Sequence, residues 1–322
     1  MASITIGGRK RTLRKSSVIL LILIPFVLVA KVYLNYFYND SGICYNDAPF
    51  NSNKLYLTVT VTVESPLEIL MFKYASLLGL SFENKRQPSF PANTMLENMF
   101  YIRSTSSGRT DCWDKRIESI PMGYDASLTS LPQRNVSIKG YLQSWKYFQS
   151  IEQTIRKEFR FKNHILQETK TKFNKYIDKA KESVVVGVHV AGNNVLLYMG
   201  DVIQGLNKAP LTYIQNAMKH MRSKYRNVKF LVLCDDRNWC QAYIKGSDDV
   251  VFTDEADSRT ALILLSLCHH SIVTTGLIGY WGAWLANGHT VYYNDYIRRQ
   301  SAMAKQIRYN DFFPPHWVPM GI

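Results

Sequence analysis

Apolar and β-branched residues alternate with threonine through Leu55-Tyr-Leu-Thr-Val-Thr-Val-Thr-Val63, the two-residue period of a strand. Pro66 then opens a helix-like stretch from Leu67 to Leu80, and Pro88, Pro91, Pro121 and Pro132 break the following region into loops. An aromatic-rich run, Lys139–Phe148, leads into a long charged helical pattern that ends near Ser183. Such a run serves packing more often than it serves as a sugar platform.

After Ser183 the pattern becomes regular. Short apolar runs at Val184–Val190, Phe230–Leu233, Val250–Phe252, Ile272–Thr274 and Val291–Tyr293 read as strands, with helical patterns between them. Pro210 is placed at a first helical position, ahead of a stripe made by Tyr213, Ala217, Met221 and Tyr225. Ala261–Cys268 reads as a buried helix. Strands alternating with helices predict an α/β fold with a parallel, doubly wound sheet in the C-terminal half.

That architecture picks out a site before any motif does. In an open α/β sheet, ligands bind beyond the carboxyl ends of the strands. Those ends carry His189 to Asn194, Asp235-Asp236-Arg237, Thr253-Asp254 and Thr274-Thr275-Gly276. The last of these is the most informative. Two hydroxyls and the glycines Gly276 and Gly279 stand where a helix begins, and a helix N-terminus favours an anion such as a phosphate. The candidate ligand-binding residues at these strand ends are His189, Asn193, Asn194, Asp235, Thr274, Thr275 and Gly276. Each has a plainer reading: a histidine bonded to a carbonyl, an aspartate capping the next helix, small residues demanded by a tight strand–helix crossing.

Composition refines the picture. The chain has 322 residues, 46% of them hydrophobic, enough for one large or two medium domains. Its net charge is +14; six of the positive charges and no acid fall in residues 1–38, which leaves the body at +8. Arg9, Lys10, Arg11, Arg14 and Lys15 precede an apolar run from Val18 to Ala30, and aromatics follow Lys31 up to Tyr38. This predicts a cytosolic tail (1–15), a transmembrane signal anchor (16–38) and a luminal body in two halves, 39–180 and 181–322. A cleaved signal peptide ending near Ala30 is the competing reading; no small residue two places earlier supports it. A membrane-anchored basic body suits an anionic small ligand, and nucleic acid is not expected. The sequons at Asn39 and Asn135 agree with a luminal body. Five cysteines permit at most two disulfides, and none has metal-ligand spacing, so no metal is expected.

Four segments in order resemble the α-1,2-fucosyltransferases of glycosyltransferase family 11, most of all their nematode-type branch. They are Met71-Phe-Lys-Tyr-Ala-Ser76, Gly140-Tyr-Leu-Gln-Ser-Trp-Lys-Tyr-Phe148, Val185-Val-Gly-Val-His-Val190 and Thr274-Thr-Gly-Leu-Ile-Gly-Tyr-Trp-Gly-Ala-Trp-Leu285. The resemblance spans roughly residues 55 to 320. It implies a GT-B-like arrangement of two Rossmann-like halves and a Golgi-anchored, luminal enzyme. It also implies metal-free, inverting transfer of fucose from GDP-fucose to the 2-hydroxyl of a galactose-containing glycan.

The departures from the family pattern are as informative. Where the family has two arginines, a glycine and an aspartate after the histidine strand, this chain has Ala191, Gly192, Asn193 and Asn194. A family arginine there is thought to hold the donor diphosphate. Its loss removes a charge-assisted contact worth about 2–4 kcal/mol to the leaving group. The family's glycine–asparagine pair appears as Glu68-Ile69, Thr-Phe appears as Leu277-Ile278, and an aspartate aligns with Ala261, near Asp257. Gly192 is expected to leave backbone N–H groups open to phosphate, and Lys208, Arg237 or Arg259 to supply charge. No general base is legible, because asparagine at position 194 cannot accept a proton. Three readings follow: an active fucosyltransferase with an altered donor site, a catalytically silent relative that binds glycan or a Golgi partner, or a transferase using another nucleotide sugar. Acceptor, general base, disulfide pairing and oligomeric state are not legible.

Overall fold

The computed structural model describes residues 3–6, 9–12, 51, 53–62, 65–106, 108–177, 182–192, 205–244, 248–254, 257–301, 303–305 and 307–321. The chain divides into two compact units, 1–47 and 48–322. In the first, β1 (Ser3–Ile6) pairs antiparallel with β2 (Arg9–Thr12). The expected anchor at 16–38, the sequon at Asn39 and Cys44 lie outside the described residues. Among the described residues no helix is long and apolar enough to cross a membrane.

The second unit is built on two parallel sheets. The smaller has β4 (Gln87–Pro88), β3 (Tyr56–Val59), β8 (Val136–Lys139) and β7 (Asp114–Ile117) in that spatial order. A separate two-residue pair joins β5 (Phe90–Pro91) to β6 (Thr105–Ser106). The larger sheet runs β11 (Val250–Phe252), β10 (Val228–Cys234), β9 (Val184–Val190), β12 (His270–Val273), β13 (Thr290–Tyr293), β14 (Val318–Met320). Counted along the chain this is the order 3-2-1-4-5-6, the doubly wound arrangement of dinucleotide-binding folds. Its strands are almost wholly apolar because helices cover both faces; five of the six residues from Val185 to Val190, other than Gly187, are at most 6% exposed.

The strand runs read from sequence recur with small shifts at their ends. β14 is new. Its Pro319 argues against a strand, but β14 is an edge strand, where a missing donor costs least. β7 is new for a different reason: Asp114-Lys-Arg-Ile117 looks like loop sequence and forms the charged edge of the smaller sheet. The charged stretch before Ser183 divides into helices Glu152–Glu158 and Asn163–Ile177. Pro210 is the N-cap of the helix Leu211–Lys224 rather than its first residue, and Tyr213, Ala217 and Met221 are fully buried as the stripe requires.

The helix Leu67–Glu83 joins the halves. Phe72 meets Tyr280 and Trp281 at ring-centroid distances of 4.9 and 4.7 Å, and Phe148 stacks on Trp281 at 5.9 Å. The aromatic run before residue 148 is thus packing: Tyr147 and Phe148 are buried. Gly79 lies against the chain there, since a Cβ at this position would sit 1.8 Å from the Tyr147 carbonyl oxygen. Cys234 and Cys240 form a disulfide, and Cys268 is a buried free thiol.

Candidate active site

In a 3-2-1-4-5-6 sheet the loops after strands one and four leave in opposite directions and open a crevice. Here those strands are the neighbours β9 and β12. The crevice therefore lies between His189–Gly192 and Thr274–Gly276, two of the segments singled out from the sequence.

Its walls are tied by side chains. The Thr274 hydroxyl accepts the Ala191 N–H at 3.0 Å and donates to the His189 carbonyl at 3.1 Å. Thr274 is 1% exposed, so it is a brace between β9 and β12 and has no hydroxyl left for a ligand. The Asp235 carboxylate accepts the Gly192 N–H at 2.8 Å. The expectation that Gly192 leaves N–H groups open to phosphate is thereby corrected: those of residues 191 and 192 are both taken. Gly192 must also be small, because a Cβ there would lie 2.8 Å from the Asp235 Cβ. An arginine cannot be placed at 192 without moving Asp235. Asn193 and Asn194 lie outside the described residues.

The free donors are at the other wall. The helix Leu277–Ala286 starts at Gly276, with no side chain capping it, and its first intrahelical bond is Tyr280 N–H to the Gly276 carbonyl. The N–H groups of its first turn have no intrahelical acceptor and carry the positive end of the helix dipole. Thr275, half-buried, precedes this turn. The His189 imidazole lies beneath it. A Cβ at Gly276 or Gly279 would come within 2.6 and 2.8 Å of that ring, which explains both glycines. His189 is 4% exposed and its Nδ1 has no partner among the described residues. Burial holds its pKa below the ordinary value, with Asp235 pulling the other way, so the ring is neutral.

The remaining members were not read from the sequence. Glu68 opens the helix Leu67–Glu83, and its carbonyl accepts the Trp281 indole N–H at 3.0 Å. That bond fixes it against the helix Leu277–Ala286. Burial raises the Glu68 pKa, and the negative charge of Asp235 raises it further. It has no ion-pair partner among the described residues. The available signal was a lone acid at the head of an otherwise apolar helix. Beneath the turn, a narrow apolar pocket is lined by Leu206, Thr275, Gly276, Tyr280 and Tyr296, and the hydroxyls of both tyrosines have no partner among the described residues.

Of the three cations offered as substitutes for the missing arginines, two are paired. Arg237 pairs with Asp254, and Arg259 with Asp257 at 3.1 Å. Asp257 also caps the helix Ser258–Ser266, and Asp236 caps Arg237–Tyr243 by accepting the Trp239 N–H. Lys208 is exposed, two residues from Leu206, and makes no ion pair among the described residues. The crevice thus offers an anion a bare helix N-terminus. Asp235, bonded to Gly192, and Glu68, held against the helix Leu277–Ala286, suit hydroxyl groups, not phosphates.

The profile described as Glycosyl transferase family 11 matches residues 29–320. The chain belongs to glycosyltransferase family 11. Among its relatives, a protein named galactoside alpha-(1,2)-fucosyltransferase 2 from Sus scrofa is 30% identical over 259 residues, covering 77% of this chain and 75% of the relative. One named galactoside 2-alpha-L-fucosyltransferase Sec1 from Mus musculus is 27% identical over 279 residues, covering 80% and 73%. The solved fucosyltransferase NodZ from Bradyrhizobium aligns with a TM-score of 0.46 at 13% identity, over 71% of this chain and 92% of that one. At that distance the likeness carries no argument. Gly276 and Gly279 find their reason here in the fit of His189, and Tyr280 and Trp281 in their packing on Phe72.

Proposed function

We propose that this family 11 member is a GT-B-like α-1,2-fucosyltransferase of the Golgi membrane, anchored as a single-pass type II protein with its body in the lumen. It transfers fucose from GDP-fucose to the 2-hydroxyl of a galactose-containing glycan, with inversion. The observation that carries this is the crevice between β9 and β12, with its uncapped helix N-terminus, in a chain whose relatives are named galactoside α-1,2-fucosyltransferases.

The diphosphate of the donor lies against the first turn of Leu277–Ala286, with Thr275 and Lys208 beside it. Asn193 and Asn194 add amide donors. Asp235, whose second carboxylate oxygen is left over from Gly192, accepts a hydroxyl of the nucleoside. Neutral His189 supports the turn from below. Glu68 takes the proton from the galactose 2-hydroxyl as that oxygen attacks the anomeric carbon of fucose. The carbon–oxygen bond to the diphosphate breaks, and GDP leaves with the electron pair. The helix dipole and Lys208 meet the developing charge, and no metal ion enters the reaction.

Incubation of the full chain with GDP-fucose and a galactose-terminated oligosaccharide tests the reading. The expected product carries fucose on the 2-hydroxyl and releases one GDP per transfer. A folded, GDP-binding protein that yields no fucosylated product with any galactose-terminated acceptor overturns it.

A further inference from the structure

We infer that a basic groove on the edge of the large sheet opposite the crevice is a binding site for an anionic glycan chain, one bearing sulfate or carboxylate groups. The groove measures about 1190 Å³ and is open to solvent. Its lining includes Leu267, which precedes β12, and Leu285 and Asn287, which precede β13. These positions are at the amino ends of the parallel strands, whereas the crevice is at their carboxyl ends. The two sites are separated by the length of the strands, roughly 13 Å for a four-residue strand.

Charge complementarity identifies the occupant. Five cations line the groove, Arg103, Arg156, Lys157, Arg160 and Lys170, and among the described residues no carboxylate does. Two of them are structural. Arg103 pairs with buried Glu158 at 2.8 Å, and Arg156 is stacked 4.0 Å over Trp284 and donates to the Trp284 carbonyl. Lys157, Arg160 and Lys170 are exposed and have no ion-pair partner among the described residues. Three uncompensated cations spread along one concave wall match an extended ligand with repeated charges better than a single phosphate. The rest of the lining suits a sugar: Tyr101, 46% exposed, offers a ring, and Asn163 and Asn287 offer amides.

Titration of the full chain with a sulfated hexasaccharide at low salt tests this, with a neutral hexasaccharide as control. The sulfated probe is expected to bind, more weakly as salt rises, and the neutral one not to bind. Reversing two groove charges (Arg160→Glu with Lys170→Glu) is expected to weaken binding about tenfold or more without changing stabilisation by GDP. Should that variant fold poorly, Lys157→Gln and Lys170→Gln are each expected to weaken binding while keeping the wild-type melting temperature. Undiminished affinity in these variants overturns the inference, since the basic residues 9–15 then hold the probe. So does binding of anionic phospholipid vesicles, or of an acidic peptide, that the hexasaccharide fails to displace.

Discussion

The roles of Thr274 and Glu68 are the reverse of what residue type suggests. A threonine at a strand end looks like a ligand, yet its hydroxyl is consumed between His189 and Ala191. A glutamate at the head of an apolar helix looks like a stray N-terminal acid, yet it is fixed against the helix Leu277–Ala286, and burial and the charge of Asp235 raise its pKa. If Glu68 removes the acceptor proton, Glu68→Gln should lower kcat by about 10²–10⁴-fold and leave the Kd for GDP unchanged. In the wild type kcat should rise with pH as Glu68 ionises, and the variant should lose that rise. Equal losses in kcat and GDP affinity would instead make Glu68 a structural residue. Residue identity and position were legible in the sequence, since His189, Asp235 and Thr275–Gly276 do converge. Side-chain direction was not, because a period of two or 3.6 says nothing about which neighbour a hydroxyl meets.

At the scale of elements, the glycines of the helices record what lies beside them. Gly279 faces the edge of the His189 ring, while Gly79 faces the Tyr147 backbone. Alanine improves helix propensity by about 1 kcal/mol at either place. Gly279→Ala should still lose stability, because the buried ring must shift, at a cost of about 1–3 kcal/mol. Gly79→Ala should lose more, because a backbone carbonyl cannot rotate aside. Urea unfolding of both variants checks the order, and a more stable Gly79→Ala protein would contradict the packing described. The inner strands of the larger sheet were readable because parallel strands covered on both faces are continuous apolar runs. Their spatial order was not, and that order is what places the crevice between β9 and β12. The edge strands β7 and β14 escaped notice because an edge tolerates charge and proline.

For the molecule as a whole, burial acts on several titrating groups at once. It lowers the pKa of His189 and His270, and it lowers that of His289 to about 4. An unfolded histidine takes up a proton near pH 6.5, so stability should fall as pH drops from there toward 4. Glu118 opposes this. Burial lifts it to about 7, so the folded state keeps a proton that the unfolded chain releases above about 4.5, and stability falls as pH rises through that window. The Tm should therefore decline on the acid side in the wild type, less steeply in His289→Gln and more steeply in Glu118→Gln. Identical slopes in all three proteins would contradict the assignment.

The donor's diphosphate is proposed to rest on the first turn of Leu277–Ala286, across from Ala191-Gly192. Hydrogen exchange of the full chain, with and without saturating GDP, tests it most directly. Amides without intrahelical acceptors exchange fast until a ligand covers them. GDP is expected to slow exchange in residues 275–279 and to leave residues 157–170 on the opposite edge unchanged. Protection confined to other segments, or none at GDP concentrations that raise the Tm, would contradict it.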